Sequence, residues 1–457
     1  SLVVKGLEDA VKGQEDDRYR ELFGWYARHE KTRPALEKMV EAAFYENAAD
    51  TIGKAAARAL YGKVMENSAT RLERFAACAF SHFLQYGLRL KERVYCEFND
   101  MDLGNVLHES LERFARLLKE EGLAWRTVSG EDLERLIGVS LEGVLKQEGY
   151  EVLQRSERSR YMKERLLRLL KRSVWALQEQ LKCGDFEPGG FEVSFAMDNR
   201  YTLALPLSED GKMMVKGRID RIDLCEEEQE CYVRVIDYKS GSRDFSLTEI
   251  YHGLSLQLAV YLNAAMEITR QQYPEKTVRP AGIFYYRIQD PLLLSGWDRR
   301  EEDVKKDMLR ELRMKGLSSE DPGILDRMDH NAGGVKNPSI VFPLSYNKDG
   351  SCSKNSAVTS EENLRLMLDF TREKMQEIGD RILEGEAAIR PYVLGNKKGC
   401  EYCAYRAVCG FDERIWGYEY RKLKSFPDEE LWEMMKRRCQ RADEMDEGTK
   451  PGDPSER

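Results

Sequence analysis

Several features are missing from this sequence. No apolar run is long enough to cross a bilayer, and the first residues do not join a basic stretch to an apolar one, so we expect neither a membrane span nor a secretory leader. The pattern G-x-x-x-x-G-K-[ST] is also absent, which excludes a P-loop from these 457 residues. Because the chain starts at Ser1 rather than at Met, we expect a fragment of a larger protein. Without a membrane span or a leader, we expect that protein to be cytoplasmic and not to bind membranes.

An excess of positive charge is missing as well. The formal net charge is −9, which does not favour nucleic-acid binding by the surface as a whole, so phosphate contacts would have to come from local basic patches. The best candidate patch is the run from Arg155 to Arg172, where eight basic residues accompany only Glu157 and Glu164. A solvated helix face and a phosphate-binding track explain this run equally well.

Cysteine, in contrast, is present ten times. Without a leader, this number indicates a reducing compartment and metal ligation rather than disulfides. Cys400, Cys403 and Cys409 form a C-x2-C-x5-C pattern, and a tetrahedral sulfur site needs one more ligand. Cys78 is our candidate, although a lone cysteine in an apolar helix more commonly only packs in the core. Thiolates alone allow either Zn²⁺ or an iron–sulfur cluster. The remaining cysteines lack such spacing and are expected to be structurally neutral: Cys96, Cys183, Cys225, Cys231, Cys352 and Cys439.

Residues 217–241 predict a β-hairpin, because two strands rich in Ile, Val and Tyr flank an acidic turn. With the turn centred between residues 228 and 229, antiparallel pairing sets Asp220 opposite Asp237 and Arg218 opposite Lys239. Side chains opposed on one face have Cβ atoms about 5 Å apart. The two carboxylates therefore converge, with an amine close by on the same face.

The charges of this hairpin can be sorted by face. On the second face, Asp223 lies opposite Arg234, so we assign Asp223 a structural role. Asp220 and Asp237 instead meet at one end of an otherwise apolar face. Two surface carboxylates on a solvated hairpin are the alternative, but like charges this close are costly unless a cation lies between them. We therefore predict a divalent-metal site.

The hairpin also carries a family resemblance. The G-x-I-D motif that ends at Asp220 and the sequence Asp237-Tyr238-Lys239 resemble the core of the PD-(D/E)XK nucleases in their RecB form. This resemblance implies that Asp220 and Asp237 hold Mg²⁺ or Mn²⁺, with the carbonyl of Tyr238, and that Lys239 orients or activates the attacking water. It also implies roles for four residues outside the hairpin: His108 of G-x-x-x-H and Glu192 of the preceding strand as metal ligands, and Gln257 and Tyr261 of Q-x-x-x-Y beside the DNA. For Glu192, a surface glutamate on an edge strand is an alternative that explains the residue nearly as well.

The cysteine pattern resembles that of the iron-staple nucleases, in which one cysteine precedes the nuclease core and three follow it. The resemblance implies a [4Fe-4S] cluster held by Cys78, Cys400, Cys403 and Cys409. In order along the chain, the motifs extend from about residue 68 to residue 420. Each motif alone is weak, whereas their order and spacing are highly specific.

We expect an α/β fold with a small mixed sheet flanked by helices. Core strands are predicted at 191–195 and 281–286, and helices that begin at Ser68 or Thr70 and at Asp244. Residues 299–360 are expected to be irregular, with one short strand at 340–342. The expected domains are a helical remnant of a helicase-like region at 1–66, the nuclease at 67–420, and a helix with a disordered tail at 421–457.

The whole pattern is most similar to the nuclease portion of AddAB-type helicase–nucleases. It implies a Mg²⁺-dependent DNA exonuclease that resects double-strand breaks for homologous recombination, acts on a single strand from an unwound duplex end, and forms a heterodimer with an AddA-type subunit. A CRISPR-associated adaptation nuclease is one alternative, which the insertion at 299–360 does not suit. A non-catalytic DNA-binding or scaffolding module is the other, which does not require Asp220, Asp237 and Lys239 to be intact.

Overall fold

A six-stranded mixed sheet forms the centre of the molecule. The computed structural model describes residues 9, 17–45, 47, 50–91, 100–147, 150, 157–196, 203–241, 243–293, 300–333 and 337–447. The strand order is β2-β5-β6-β7-β8-β9, with β6–β7 and β8–β9 parallel and the other pairs antiparallel. The strands are β2 (Glu187–Phe195), β5 (Gly217–Glu226), β6 (Glu230–Lys239), β7 (Thr277–Arg287), β8 (Lys315–Ser319) and β9 (Val358–Thr359).

The predicted hairpin is confirmed in its register. Strands β5 and β6 pair Ile222 with Val235 and Asp223 with Arg234, around a turn at residues 227–229. Continued to the open end of the pair, the same register sets Asp220 opposite Asp237. Since the side-chain period of a strand is two, a slip of one residue would have separated these carboxylates onto opposite faces.

Helices cover both faces of this sheet, because the residues of its central strands alternate between two cores. Val235 belongs to the first core and Ile236 to the second. The helices of the first core include α10 (Gln257–Gln272), α13 (Glu361–Leu383) and α15 (Asp428–Glu447), and those of the second include α6 (Asp100–Glu120), α7 (Gly130–Leu145) and α8 (Glu157–Lys182). The predicted α/β fold is therefore confirmed as a three-layer arrangement.

A buried ionic group underlies the hairpin. The Asp223 carboxylate accepts hydrogen bonds from Arg221 Nη2 at 2.9 Å and from Arg234 Nη2 at 2.8 Å, and all three side chains are almost fully buried. Arg221 also packs beside two stacked aromatic rings, 5.5 Å from the centroid of Trp125 and 5.7 Å from that of Phe191. The assignment of Asp223 to structure fits these contacts, which the sequence predicted only for Arg234.

Two three-stranded sheets lie outside the central one. The first, in the order β1-β4-β3, joins β1 (Val64–Asn67) to β4 (Lys212–Val215) and β3 (Leu203–Pro206). The second, in the order β11-β10-β12, joins β10 (Tyr392–Leu394) to β11 (Lys397–Lys398) and β12 (Arg421–Leu423). The remaining helices are α1 (Asp17–Arg28), α2 (Arg33–Ala43), α3 (Lys54–Tyr61), α4 (Ala69–Ala77), α5 (Ala79–His82), a π-helical turn (Phe83–Gly87), α9 (Leu247–Tyr251), α11 (Glu301–Glu311), α12 (Pro322–Met328) and α14 (Arg406–Cys409).

Some local predictions were wrong. Residues 299–360, expected to be irregular, contain α11, β8, α12 and β9 in their described part, while 340–342 form a bend rather than a strand. The helix expected to start at Asp244 starts after Ser246, whose hydroxyl accepts the N–H of Glu249. The hydrophobic period is weak in the first case, and two neighbouring residues of capping type compete in the second.

At the C-terminal end, the helix predicted within 421–457 is α15, which continues to Glu447, and residues 448–457 lie outside the described part. None of the described helices combines the length and apolar character needed to cross a bilayer.

Candidate active site

The site forms where β5 and β6 lie side by side near the open end of the hairpin. The backbone N–H of Tyr238 donates to Asp220 Oδ2 at 2.8 Å, which fixes this carboxylate against the neighbouring strand. His108 Nδ1 lies 3.3 Å from the same oxygen. His108 comes from α6, whose apolar side chains pack in the second core, so two layers of the fold meet at Asp220.

Glu192 reaches the site from the edge strand β2. Its neighbours pair in register as Phe191 with Arg221 and Val193 with Ile219, which sets Glu192 opposite Asp220. The φ of Glu192 is +49°, in the left-handed region that non-glycine residues adopt only at a cost. Its carboxylate contacts Arg218, and one ligand atom each from His108, Glu192 and Asp220 lies within 4.8 Å of the others.

Asp237 lies beside this trio but is not a member of it. Its carboxylate is almost fully buried and contacts the ammonium of Lys239 as an ion pair. Apart from that ion pair, neither of its oxygens has a hydrogen-bond partner in the described part of the chain. A buried carboxylate with so few partners is costly, and a divalent cation is the kind of group that would satisfy it.

The electrostatics of the site favour uptake of positive charge. Burial and the charge of Asp220 raise the pKa of Glu192 to about 7, although Arg218 opposes the rise. Burial and Asp220 likewise raise the pKa of Asp237 to about 6 against the effect of Lys239. Burial alone would lower the pKa of His108, but the hydrogen bond and charge of Asp220 raise it. Carboxylates with raised pKa values in one recess are typical of functional sites.

A chain of polar contacts leads from Lys239 onto helix α10. Lys239 Nζ donates to Gln257 Oε1 at 3.1 Å, and Gln257 Nε2 donates to the Tyr261 hydroxyl at 3.0 Å. Gln257 is the first residue of α10, and its i+4 neighbour Tyr261 shares its face. The structure thus brings both residues of the Q-x-x-x-Y motif to the predicted site, with Gln257 in direct contact with Lys239.

Sequence reasoning missed three residues of this neighbourhood. Arg221 lies on the buried face of the hairpin, where its charge opposes the rise in the pKa of Tyr238 that burial causes. Glu73 and Arg243 form an ion pair near the start of α10, with 3.5 Å between Nη2 and Oε2. The spacing of Glu73 within a helical stretch carries no signal of this contact. Arg243 follows the D-Y-K motif by only four positions, and that proximity could have marked it.

The four cysteines of the predicted cluster lie in one neighbourhood, although in the described part of the chain no three of their thiols lie within 4.8 Å of one another as the ligand atoms of the carboxylate trio do. Helix α4 ends at Cys78, which is extended with φ −166° and ψ +115°, so the predicted helix breaks there and α5 begins after it. The other three thiols lie between β11 and β12. The Sγ of Cys403 lies 3.9 Å from Ser81 Oγ, and the guanidinium of Arg421 donates to the carbonyl of Ala76. These contacts bind the C-terminal segment to the residues around Cys78.

The four thiols interact with one another electrostatically. Burial raises the pKa of Cys400 to about 11, with further contributions from Cys78, Cys409 and Cys403. All four are free thiols. Four unbridged thiols in one neighbourhood fit a site for a thiophilic metal or cluster, since the group that they bind would favour their thiolate forms.

Several side chains of the basic run 155–172 form ion pairs with acidic residues of this chain. On α8, Lys163 and Lys171 form ion pairs with glutamates of α7, and Arg168 and Arg172 share Asp290. Arg155 lies outside the described residues, as does the side chain of Arg158. These ion pairs favour the solvated helix face, and the phosphate-binding track stays a prediction.

Comparison with known proteins places this geometry in a family. The profile of the PD-(D/E)XK nuclease superfamily matches residues 66–410, a range that includes the trio, Lys239 and all four cysteines. The chain belongs to the PD-(D/E)XK nuclease superfamily. Membership accounts for the mixed sheet and for the place of the carboxylates on the hairpin.

Comparison with individual proteins identifies more specific relatives within this superfamily. Proteins named as the B subunit of an ATP-dependent helicase/deoxyribonuclease are similar along nearly all of this chain. The protein from Lachnoclostridium phytofermentans is 37% identical over 99% of the chain, that from Thermoanaerobacter sp. 33% over 93%, and that from Clostridioides difficile 35% over 94%. The resemblance to AddB, the second protein of AddAB-type complexes, is confirmed. This chain spans 37–39% of the length of these three relatives.

Proposed function

We propose that this chain is the Mg²⁺- or Mn²⁺-dependent DNA exonuclease portion of an AddAB-type helicase–nuclease. One observation carries the proposal: His108, Glu192 and Asp220 present ligand atoms within 4.8 Å of one another, next to a buried Asp237 and a lysine. A non-catalytic scaffolding module would not need a strained glutamate, two buried aspartates and an oriented lysine in one recess.

Five residues would hold the ion, namely His108, Asp220 and Asp237 with Glu192 and the carbonyl of Tyr238. The sparsely partnered oxygens of Asp237 and the mutual repulsion of the carboxylates support this set. When bound, such an ion polarises a phosphate and lowers the pKa of a water.

The chain's own groups prepare the hydrolysis. Lys239 sits between Asp237 and Gln257, so its ammonium can hold the attacking water and offset negative charge as that oxygen bonds to phosphorus and the P–O ester bond breaks. Gln257 and Tyr261 fix the ammonium from the other side. The N–H of Tyr238 holds the carboxylate of Asp220 in place.

Substitution of these residues tests the proposal. Asp220→Ala and Lys239→Ala should lower cleavage of a labelled linear duplex at least about 10³-fold, because they remove a metal ligand and a charge that acts in the transition state. The full-length protein is assayed together with its partner subunit, and the assay measures degradation of the DNA strand that this subunit is expected to cut. Glu226→Gln, at the turn of the same hairpin, is the matched control and should cleave normally. Unchanged products with Asp237→Ala would contradict the mechanism.

We further propose that Cys78, Cys400, Cys403 and Cys409 hold a [4Fe-4S] cluster with a structural role. The common neighbourhood of the four free thiols and the contact of Cys403 with Ser81 near Cys78 support this assignment. Iron and acid-labile sulfide analysis of anaerobically purified protein should find about four of each per chain, as the cluster type requires. Zinc instead of iron would overturn the cluster but keep the site. Full occupancy in Cys78→Ser would show that another group is the fourth ligand.

The proposed context follows that of the relatives. The substrate would be a single strand from an unwound duplex end, the partner an AddA-type helicase–nuclease subunit, and the process resection of double-strand breaks for recombination. We keep 1–66 as the remnant of a preceding region, 67–420 as the nuclease and 421–457 as the C-terminal part. The outer parts would pack closely, since β1 pairs with β4, and Leu431 and Met435 are buried in the first core.

A further inference from the structure

Glu73 is a nearly buried carboxylate with no part in the hydrolysis described above. It lies on α4, and its side chain is 12% exposed. Its Oε1 accepts the backbone N–H of Leu256 at 2.7 Å and that of Gln257 at 3.0 Å. Its Oε2 lies 3.5 Å from Arg243 Nη2. One oxygen of this carboxylate therefore contacts the start of α10, and the other contacts Arg243.

These contacts replace a missing helix cap. The first N–H groups of a helix have no partner within it, and a Ser, Thr, Asp or Asn side chain normally accepts one. Helix α10 has Leu256 in this position, which cannot do so. Glu73 supplies the acceptor from a different helix, and its negative charge is favourable at the positive end of the α10 dipole.

From this cap, direct contacts lead to the reacting centre. Gln257, whose N–H Glu73 accepts, takes the hydrogen bond of Lys239 Nζ on its side chain. Arg243 and Lys239 each lie 5.6 Å from the ring centroid of Tyr285. Glu73 thus fixes the position of Gln257 and holds back a second cation that shares an aromatic surface with Lys239.

We propose that Glu73 is a positioning residue for Lys239, which it acts on through Gln257. This inference rests on the proposed nuclease function and deepens it. It also connects the two sites of the molecule. Cys78 is the residue at which α4 ends, five positions after Glu73 and about 8 Å further along the helix axis. A displaced Cys78 would displace the cap of α10 and, with it, the ammonium that prepares hydrolysis.

The test compares two substitutions of Glu73 in the full-length protein with its partner subunit. Glu73→Ala should lower kcat for duplex degradation about 10–100-fold, with KM for DNA ends within about twofold, since supporting contacts of this kind and 1 Å misplacements have effects of that size. Glu73→Gln keeps an oxygen that can accept both N–H groups and should retain kcat within about threefold. Glu66→Gln removes the charge of an exposed carboxylate that pairs with Lys216 and serves as the control.

A second measurement does not depend on activity. Amide hydrogen exchange at Leu256 and Gln257 should become faster in Glu73→Ala and remain near the unsubstituted rate in Glu73→Gln. Assays are run well below the Tm measured for each variant, so that loss of folded protein does not lower kcat.

The inference is overturned if Glu73→Ala keeps kcat within twofold while Lys239→Ala loses cleavage, or if Glu73→Gln is as damaged as Glu73→Ala. If Lys239→Ala and Asp220→Ala both cleave normally, the proposed function itself is wrong. The two failures are thereby distinguished.

Discussion

The carboxylate site and the thiol site are built in opposite ways. Asp220 and Asp237 lie on adjacent strands and are only 17 positions apart in the sequence, so the register of one hairpin brings them together. The thiols are half-buried, and Cys78 meets its partners across more than three hundred residues. The first arrangement is local, whereas the second, if the thiols share one group, would close most of the chain into a loop.

This difference predicts different consequences of damage. A site formed by strand register keeps its geometry when one ligand is lost, because backbone pairing holds the others. A site formed by loop closure loses the constraint that it places on the unfolded chain. We therefore expect substitutions at the carboxylates to remove activity at nearly unchanged stability, and substitutions at the thiols to remove stability first.

The largest expected effect is that of Cys78→Ser. If the four thiols hold one group, its loss opens a loop of more than three hundred residues, and the free energy of unfolding should fall by at most about 6 kcal/mol. Denaturant unfolding of the anaerobically purified protein measures this change. Cys439→Ala, on α15, should shift the midpoint by far less. Equal midpoints for Cys78→Ser and the unsubstituted protein would remove the distinction between the two sites.

An intermediate loss of stability is expected when the buried ionic group of the hairpin is broken. Asp223→Ala leaves Arg221 and Arg234 buried without their partner, which should cost about 3–5 kcal/mol of unfolding free energy. Glu226→Ala breaks a surface pair with Lys276 and a hydrogen bond from the Tyr273 hydroxyl, and should cost less than Asp223→Ala, about 1–2 kcal/mol. Retained thiol-bound metal in folded Asp223→Ala would show that the two sites are supported independently, and its loss would contradict that.

The same substitution has a pH signature. Burial would raise the pKa of Asp223, but the charges of Arg221 and Arg234 outweigh it, so the pKa is lowered in the folded protein. The stabilisation by Asp223 is therefore present above its unfolded pKa of about 4 and is lost as pH falls through the lower folded value. The stability difference between the unsubstituted protein and Asp223→Ala should shrink on acidification below about pH 4.

The smallest expected effect concerns ion binding at the carboxylates. Mn²⁺ at about 100 times its Kd should stabilise the unsubstituted protein by about 2.7 kcal/mol, because it binds only the folded state. A thermal melt with and without the ion measures this, and Asp220→Ala should show no shift. A shift of the same size in Asp220→Ala would place the ion elsewhere.

The hairpin and its carboxylates could be predicted because their information is local. Strand composition, an acidic turn and one opposite-charge pair, Asp223 with Arg234, are enough to set the register. The position of Glu192 was harder to predict. Its backbone φ of +49° is unusual for a non-glycine residue, and the sequence carries no signal of it.

Contacts between distant segments could not be predicted in the same way. Glu73 lies on one helix and caps another that begins more than 180 residues later. Neither segment has a sequence pattern that predicts this contact. The helices within 299–360 were missed because charged side chains dominate their pattern: α11 has only two buried residues, Met308 and Leu309. Tertiary packing decides such segments, and local sequence does not encode it.

The separation of Cys78 from Cys409 also sets an order of events during synthesis. A ribosome adds about 5–20 residues per second, so roughly 20–70 s pass between the emergence of these two cysteines. During that interval Cys78 has no partner thiols from the C-terminal segment, and any group that all four cysteines share can be inserted only after translation of the domain is nearly complete. If the four cysteines hold the proposed cluster, maturation of this domain would require a reducing environment for the nascent chain and a metal supply that acts late in synthesis.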